Sequence, residues 1–361
     1  MKIGILGGGQ LARMLILAGT PLGLEFTILE PAEDACARGL SKHIRAAYDD
    51  PDGLRQLAEA ADCITYEFES VPADAVEQLA RKRPVYPPPQ ALAVARDRWR
   101  EKNLFQDLGV ETAPFRRVDS LDDLQQAVAA LGNPAILKTR TLGYDGKGQV
   151  VLDTDTDLAW AWRQVGQVPS ILEGWVDFER EVSIIAARSR SGEIVFYPLS
   201  LNHHQGGILR TSRCLHDDPV QKLAEDYAHR VLDSLNYVGV LAIEFFQVGE
   251  HLLANEMAPR VHNSGHWTIE GAETSQFENH LRAILGCPLG SAAALGHTAM
   301  LNLIGTMPDR QEVLAMQQAH WHDYAKAPRS GRKLGHVTLR TASPTELDAS
   351  FEQLNQILAK A

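Results

Sequence analysis

Glu244 lies in Ala242-Ile243-Glu244-Phe245-Phe246, and Glu256 in Leu253-Ala254-Asn255-Glu256-Met257-Ala258-Pro259-Arg260, twelve positions further on. The apolar flanks of each acid read as a strand, and Gly249-Glu250-His251 between them reads as a turn. That spacing predicts an antiparallel hairpin with two carboxylates side by side. Two adjacent anions on a buried strand pair repel each other unless a cation lies between them. Hard oxygen donors of this kind suit Mg2+ that also binds the phosphates of ATP. The plainer alternative is that an Arg or Lys neutralises each acid.

Directly after the second acid comes Arg260-Val261-His262-Asn263-Ser264-Gly265-His266-Trp267. Its Arg and Asn offer a fork of donors suited to a small oxyanion such as bicarbonate or a transferring phosphoryl group, and either His could serve as a general base. Upstream, Lys138 is followed by Gly143-Tyr144-Asp145-Gly146-Lys147-Gly148-Gln149. Three glycines between two strands make a flap whose backbone N–H groups can approach a polyphosphate, with Lys138 and Lys147 supplying charge. Near the end, Lys326-Ala327-Pro328-Arg329-Ser330-Gly331-Arg332-Lys333-Leu334-Gly335-His336 is the densest basic stretch. It reads as a solvated turn or as a phosphate clamp for a nucleotide-like substrate.

The N-terminal Gly7-Gly8-Gly9-Gln10-Leu11-Ala12 fits G-x-G-x-x-A, and Glu30 ends the next strand where a ribose-binding acid would stand. Three readings stay open: a nicotinamide or flavin site, a tight strand-to-helix turn, or a helix N-terminus holding a substrate phosphate.

These residues need elements to position them. Lys2–Leu6, Glu25–Leu29 and Cys63–Phe68 read as strands, alternating with helices over Gln10–Ala18 and Ala73–Arg81. This rhythm implies a parallel sheet with helices on both faces. Pro87-Pro88-Pro89 marks a boundary, followed by a helix over Arg96–Leu108. A smaller unit carries strands at Ala135–Lys138, Gln149–Leu152 and Ser170–Glu173, with a helix near Leu158–Val165. Long apolar strands follow at Val182–Ala187, Ile194–Pro198, Gly239–Gln247 and Leu252–Met257, flanked by helices at Val220–Leu235 and Gln276–Leu285.

The bulk properties bound the answer. At 361 residues the chain is long enough for two or three domains, and 45% apolar with 22% charged residues is ordinary for a soluble protein. A formal net charge of -11 argues against nucleic acid as a partner, because phosphate backbones are held by net positive patches. Cys36, Cys63, Cys214 and Cys287 are scattered, which indicates neither a zinc site nor a disulfide framework. No apolar run is long enough for a membrane span, and a cytoplasmic location is expected.

Together, GGGQLARM, GYDGKGQ, AIEFF, NEMAPRVHNSGHWT and GRKLGH resemble the N5-carboxyaminoimidazole ribonucleotide synthetase family of the ATP-grasp superfamily, in the same order over nearly the whole chain. The resemblance implies an α/β fold in four parts. These are an N-terminal Rossmann-like domain (1–97), an ATP-grasp lid subdomain (98–172), a large subdomain with the metal site (173–290) and a C-terminal clamping segment packed on it (291–361). It implies that ATP phosphorylates bicarbonate to carboxyphosphate, whose CO2 is captured by the amine of 5-aminoimidazole ribonucleotide, a step of purine biosynthesis. It also implies a homodimer.

By position, the resemblance gives Arg98 and Lys138 to the ATP phosphates, under the flap Gly143–Gln149. Glu173, Gly174, Trp175 and Val176 would form the adenine hinge, Glu181 would bind ribose, and His204 would lie at the nucleotide edge. Glu244 and Glu256 would be the Mg2+ ligands, with Asn255 beside them. Arg260, His262 and Asn263 would hold bicarbonate and carboxyphosphate, and Asp145 and Lys333 would assist the transfer. Gln10, Leu11, Glu69, Lys326, Arg332 and Lys333 would surround aminoimidazole ribonucleotide, giving the glycine turn a phosphate-binding role without a dinucleotide. The chain departs from the family at Leu142 and Ala325, where glycine is usual, and Ala258 stands where the wider superfamily often has an Asn ligand. Competing readings are a formate-dependent glycinamide ribonucleotide transformylase of the same superfamily, a Rossmann NAD(P) oxidoreductase, and a non-catalytic nucleotide-binding protein.

Overall fold

A computed structural model describes residues 1–143 and 146–360. Its first sheet has four parallel strands in the order Lys42–Ile44, Glu25–Leu29, Lys2–Leu6, Cys63–Tyr66. Alternation along Lys2–Leu6 sends Ile3 and Ile5 to one face and Leu6 to the other, and each face has its own core. On one side Leu15 and Ile16 of the helix Gln10–Gly19 pack with Phe277 and Leu281 of the helix Gln276–Leu285. On the other, Leu54 and Leu57 of Pro51–Ala60 join Val76 and Leu79 of Ala73–Ala80. The parallel sheet covered on both faces is as expected.

The second sheet has nine strands among the described residues. Eight run in the order His251–Ala258, Gly239–Val248, Arg180–Arg188, Ser200–Gln205, Ile208–Cys214, His297–Ile304, Lys333–Thr341, Ala319–Asp323, while Ile194–Phe196 pairs with Arg180–Arg188. The C-terminal strands therefore extend the sheet that carries both acids. The helix Gln221–Ser234 covers one face through Ala228, Val231 and Leu232, and Gln276–Leu285 covers the other. The third sheet is antiparallel, in the order Phe115–Val118, Ser170–Gly174, Ala135–Thr139, Gln149–Leu152, and is backed by Leu121–Leu131 and Leu158–Gln164. Lys138 pairs with Gln149, so the glycine flap does connect two paired strands.

Some elements differ from expectation. The helix expected over Arg96–Leu108 runs Arg98–Asp107, because the Asp97 carboxylate accepts the Trp99 N–H at 2.9 Å and caps it, and a separate short helix, Pro89–Ala95, precedes it. The strand expected to reach Phe68 stops at Tyr66, and the one expected to reach Pro198 stops at Phe196. Ser200–Gln205 and Ile208–Cys214 form a hairpin that polar residues such as His203, His204 and Arg210 disguise. No helix among the described residues is long and apolar enough to cross a membrane.

Candidate active site

The hairpin Gly239–Val248/His251–Ala258 places Glu244 directly opposite Glu256. The register then slips: Phe245 faces Ala254, which leaves Asn255 as the extra residue of a bulge beside the acids. Arg98 Nη1 lies 3.0 Å from Glu256 Oε2. The cations acting on Glu244 are His204 and Lys333, whose charges oppose the rise of its carboxyl without cancelling it. His262 Nε2 is 3.6 Å from Glu244 Oε1, and burial first, then the charges of Arg260 and Lys333, hold that imidazole far below its ordinary range, so it stays neutral. Burial, and then the charge of Glu256, raises the Glu244 carboxyl to about 7. The acid pair is thus short of positive charge, the condition a divalent cation relieves. Among the described residues no cluster of three or more His, Cys, Asp or Glu could hold a metal, so an ion here would take its other ligands from phosphate oxygens and water.

The loop after Glu256 is held from several sides. Arg260 Nε donates to Glu69 Oε2 at 2.6 Å, tying it to the N-terminal domain. Gln276 clamps the backbone of His262, accepting from its N–H at 2.8 Å and donating to its carbonyl at 2.6 Å. The Ser264 N–H donates to His262 Nδ1 at 3.3 Å, which leaves the imidazole proton on Nε2, facing Glu244. Asn263 exchanges hydrogen bonds with Asn302 of the strand His297–Ile304 at 3.1 and 2.6 Å. His266 is fully buried and receives Gln276 Nε2 at 3.3 Å on Nδ1, so it supports the loop and cannot reach a substrate as a base.

On the nucleotide side, Lys138 Nζ sits 3.1 Å from Glu173 Oε2 and 3.5 Å from Asn255 Oδ1. Lys102 Nζ joins Glu173 at 3.4 Å. Burial alone would raise the Glu173 carboxyl, but Lys102 and Lys138 outweigh it and hold it at about 2. Its side chain is therefore committed to two lysines, so that Glu173 would take part in an adenine hinge through its backbone. Gly174 is buried, Val176 half-buried and Trp175 exposed. Glu181 Oε2 meets His204 Nδ1 at 2.6 Å; burial lowers the imidazole, but Glu181 and Glu244 overcome that and leave it raised. Tyr144 and Asp145 of the flap lie outside the described residues. Of the rest, Gly146, Lys147, Gly148 and Gln149 are exposed. A Cβ on Gly146 would lie 3.2 Å from Gly207 Cα, so the flap rests on the Gly206-Gly207 turn. Leu142 and Ala325 both take positive φ, 64° and 56°.

The glycine turn overturns one expectation. Glu67, fully enclosed, accepts the N–H groups of Gly9 and of Ala12, the latter at 2.9 Å. Glu30 accepts from Gly8 N–H at 3.0 Å, Ala32 N–H at 3.0 Å and Tyr48 Oη at 2.6 Å. A Cβ on Gly9 would lie 2.8 Å from Glu67 Oε1, and one on Gly8 2.9 Å from Glu30 Cβ. The glycines make room for the chain's own carboxylates. With the Gly8, Gly9 and Ala12 N–H groups taken by Glu30 and Glu67, no pyrophosphate seats against Gly8 and Gly9, which removes the dinucleotide reading, while Gln10 and Leu11 remain in the cavity wall.

A cavity of about 570 Å3 joins these regions. Its walls include Gln10, Leu11, Glu69, Arg98, Gly143 and His204. Glu244, Glu256, Arg260, His262, Asn263 and Lys333 complete the expected residues it gathers. Lys138, Glu173–Val176, Glu181, Asn255, Lys326 and Arg332 lie outside its lining. Lys326 still reaches it indirectly, since its Nζ donates to Gln10 Oε1, whereas Arg332 Nη1 donates to the Ala327 carbonyl at 3.2 Å. Sequence reasoning missed Glu67, Glu101 and Arg140, all in the lining. Glu101 Oε1 accepts Met257 N–H at 2.7 Å beside the acid pair, and Arg140 pairs with Asp97 at 2.5 Å. An acid two residues before Glu69, at the end of a strand beside a glycine turn, was the available signal for Glu67.

Three family models match in succession: a ribonucleotide synthetase preATP-grasp domain over residues 1–96, an ATP-grasp domain over 103–277, and a phosphoribosylaminoimidazole carboxylase C-terminal domain over 298–350. The N5-carboxyaminoimidazole ribonucleotide synthase of Pseudomonas aeruginosa is 57% identical over 99% of both chains. That of Bacillus subtilis is 39% identical over 93% of this chain and 90% of the relative. The crystal structure of the synthetase from Thermus thermophilus superposes with a TM-score of 0.94 at 53% identity, covering 98% of each chain. That of the Aspergillus clavatus synthase, in complex with ADP and 5-aminoimidazole ribonucleotide, superposes at 0.92 and 28% identity over 100% of this chain and 99% of the other. With its acid hairpin, the loop after Glu256 and the N-terminal sheet meeting in one cavity, this chain belongs to the N5-carboxyaminoimidazole ribonucleotide synthase family.

Proposed function

We propose that the chain uses ATP and bicarbonate to carboxylate the exocyclic amine of 5-aminoimidazole ribonucleotide, through carboxyphosphate, as a cytoplasmic homodimer in purine biosynthesis. One observation carries this: the acid pair Glu244/Glu256 shares a cavity with the donors Arg260 and Asn263 and with Gln10 and Glu69 of the N-terminal domain. A nucleotide site and a second-substrate site with an oxyanion loop between them is the layout a phosphorylated intermediate requires.

Glu244 and Glu256 fit Mg2+, since they face each other and burial and the charge of Glu256 outweigh the cations that act on Glu244. When bound, the ion neutralises charge on the transferring phosphoryl group. Arg98 and Lys138 orient the phosphates and add positive charge. Arg260, fixed by Glu69, and Asn263, fixed by Asn302, present N–H donors to bicarbonate. His262, neutral with its proton on Nε2, serves as a donor toward the acids rather than as a base. Bicarbonate oxygen attacks the terminal phosphorus and ADP leaves. The C–O bond of carboxyphosphate then breaks to CO2 and phosphate, and the amine forms the new N–C bond with loss of a proton. Lys333, in the same cavity, and Asp145 of the flap assist this transfer. Water must be kept out, because carboxyphosphate hydrolyses readily; the flap over the Gly206-Gly207 turn serves that end.

Phosphate release from ATP tests the reading. Bicarbonate should support it, and aminoimidazole ribonucleotide should accelerate it with formation of the carboxylated amine. Release that follows formate instead would point to the transformylase.

A further inference from the structure

The helix Arg98–Asp107 buries charge where a helix ordinarily buries an apolar stripe. Glu101 and Lys102 are each 1% exposed, and Arg98 stands one turn before them on the same face. Charges held this far from water need partners. All three find them on His251–Ala258, the outer strand of the nine-stranded sheet. Arg98 Nη1 reaches Glu256 Oε2 at 3.0 Å, Glu101 Oε1 accepts the Met257 N–H at 2.7 Å, and Lys102 Nζ donates to the Ala254 carbonyl at 2.9 Å.

The two backbone contacts bracket the bulge. In a regular antiparallel strand the backbone groups that face away from the partner recur at every second residue. Here the Ala254 carbonyl and the Met257 N–H both face the helix, three residues apart, because Asn255 is the extra residue. Lys102 and Glu101 thus meet the backbone on either side of Asn255 and Glu256, on an edge that would otherwise be left unpaired. Lys102 has a second partner. Its Nζ lies 3.4 Å from Glu173 Oε2, while Lys138 Nζ lies 3.1 Å from the same oxygen and 3.5 Å from Asn255 Oδ1. The contacts close a ring from Lys102 through Glu173 and Lys138 back to the bulge.

We propose that Lys102 is a positioning residue for metal-dependent nucleotide binding: it holds the bulge that aims Asn255 and Glu256, and ties it to Glu173 and Lys138 so that metal ligand and phosphate-binding lysine keep one geometry. Lys102 lies outside the cavity lining and acts only through these neighbours. The inference rests on the reading of Glu244 and Glu256 as ligands of an ion on the nucleotide phosphates, and not on the identity of the substrate that is carboxylated.

Calorimetric titration of ADP into the full chain, with and without Mg2+, tests it without bicarbonate or aminoimidazole ribonucleotide. In the wild type, Mg2+ should tighten ADP binding. K102M keeps the length of the side chain, and Glu173 keeps Lys138. In K102M the tightening by Mg2+ should shrink by about tenfold, roughly the loss of one hydrogen bond to a charged group, while metal-free ADP affinity changes much less. A lesion that only destabilised the fold would lower the stoichiometry of binding and leave the Mg2+ effect on affinity intact, and that result would overturn the assignment. K102Q, which keeps a polar group in the site, guards against a misfolded K102M, and its Mg2+ effect should shrink in the same direction. An undiminished Mg2+ effect in a folded variant, or the failure of both variants to fold, would also overturn it. No Mg2+ effect in the wild type would take the ion from the acid pair and the inference with it. A wild type that shows the Mg2+ effect but no bicarbonate-dependent phosphate release would sink the carboxylase reading alone and leave the role of Lys102 standing.

Discussion

The cavity has two acidic ends that differ in how their charge is met. At the glycine turn, Glu30 and Glu67 accept backbone N–H groups and the Tyr48 hydroxyl, so every bond they need comes from the chain. At the hairpin, Glu244 faces another acid and a neutral imidazole. Both ends show acids near glycines or turns in sequence. Only at the second do two acids face each other, with Arg98 on Glu256, and it is the end equipped for a ligand. An acid's count of internal partners, more than its motif, separates structural from ligand-binding carboxylates.

That contrast can be broken by removing acids at each end. The largest effect is expected for E244Q and E256Q: bicarbonate-dependent phosphate release should fall by about 100-fold or more, while thermal stability holds or rises in E244Q because repulsion is relieved and falls in E256Q because Arg98 loses its partner. A fall in the melting temperature of E244Q matching its loss of activity would make the pair structural. Next comes Glu173, an acid with partners. Glu173 is held well below its usual range, yet burial also lowers Lys102, so the two shifts disagree on what the pair is worth. The directions are reconciled if the cluster is near neutral in net stability but costly to break. E173Q should therefore cost about 3–5 kcal/mol, the penalty of stranding buried lysines, measured by chemical denaturation.

Another satisfied group sharpens the picture through pH. His280 accepts the Val240 N–H on Nδ1 at 3.1 Å and contacts Thr65 Oγ1 through Nε2 at 2.9 Å, bridging the N-terminal sheet to the acid-bearing strand. Burial lowers it to about 3. Since the folded value lies below the unfolded one, its contribution is fully present above about pH 6.5 and is lost as pH falls toward 3. Stability should drop by about 1.4 kcal/mol per pH unit below 6.5 from this residue, and H280Q should remove that part of the slope. An unchanged slope would mean that His280 titrates normally. The smallest effect is expected at Ala325, whose φ of 56° suits glycine: A325G should stabilise by about 0.5–1 kcal/mol. No gain in denaturation midpoint would show the strain to be absorbed by its neighbours.

What could be read from sequence follows from range. The facing acids were legible because apolar flanks, a turn and their spacing are local features, and Glu244 does stand opposite Glu256. The parallel sheet was legible for the same reason. The pairing of the Glu173 side chain was not legible because its partner Lys102 lies on a helix far earlier in the chain and nothing local announces a buried lysine. The dinucleotide reading of the glycine turn failed because its motif states that N–H groups are available, not that Glu67 will arrive from another strand to use two of them. The hairpin Ser200–Gln205/Ile208–Cys214 was passed over because charged and polar residues sit on a strand whose one face lines the site.

The central claim is that the facing acids Glu244 and Glu256 hold a divalent ion on the nucleotide phosphates. Titrating Mn2+, a spectroscopically visible substitute for Mg2+, into the protein with ADP, followed by electron paramagnetic resonance, tests it most directly. The account predicts a protein-bound Mn2+–nucleotide signal in the wild type that is lost in the E244Q/E256Q double variant and kept in E67Q. An undiminished signal in the double variant would contradict it.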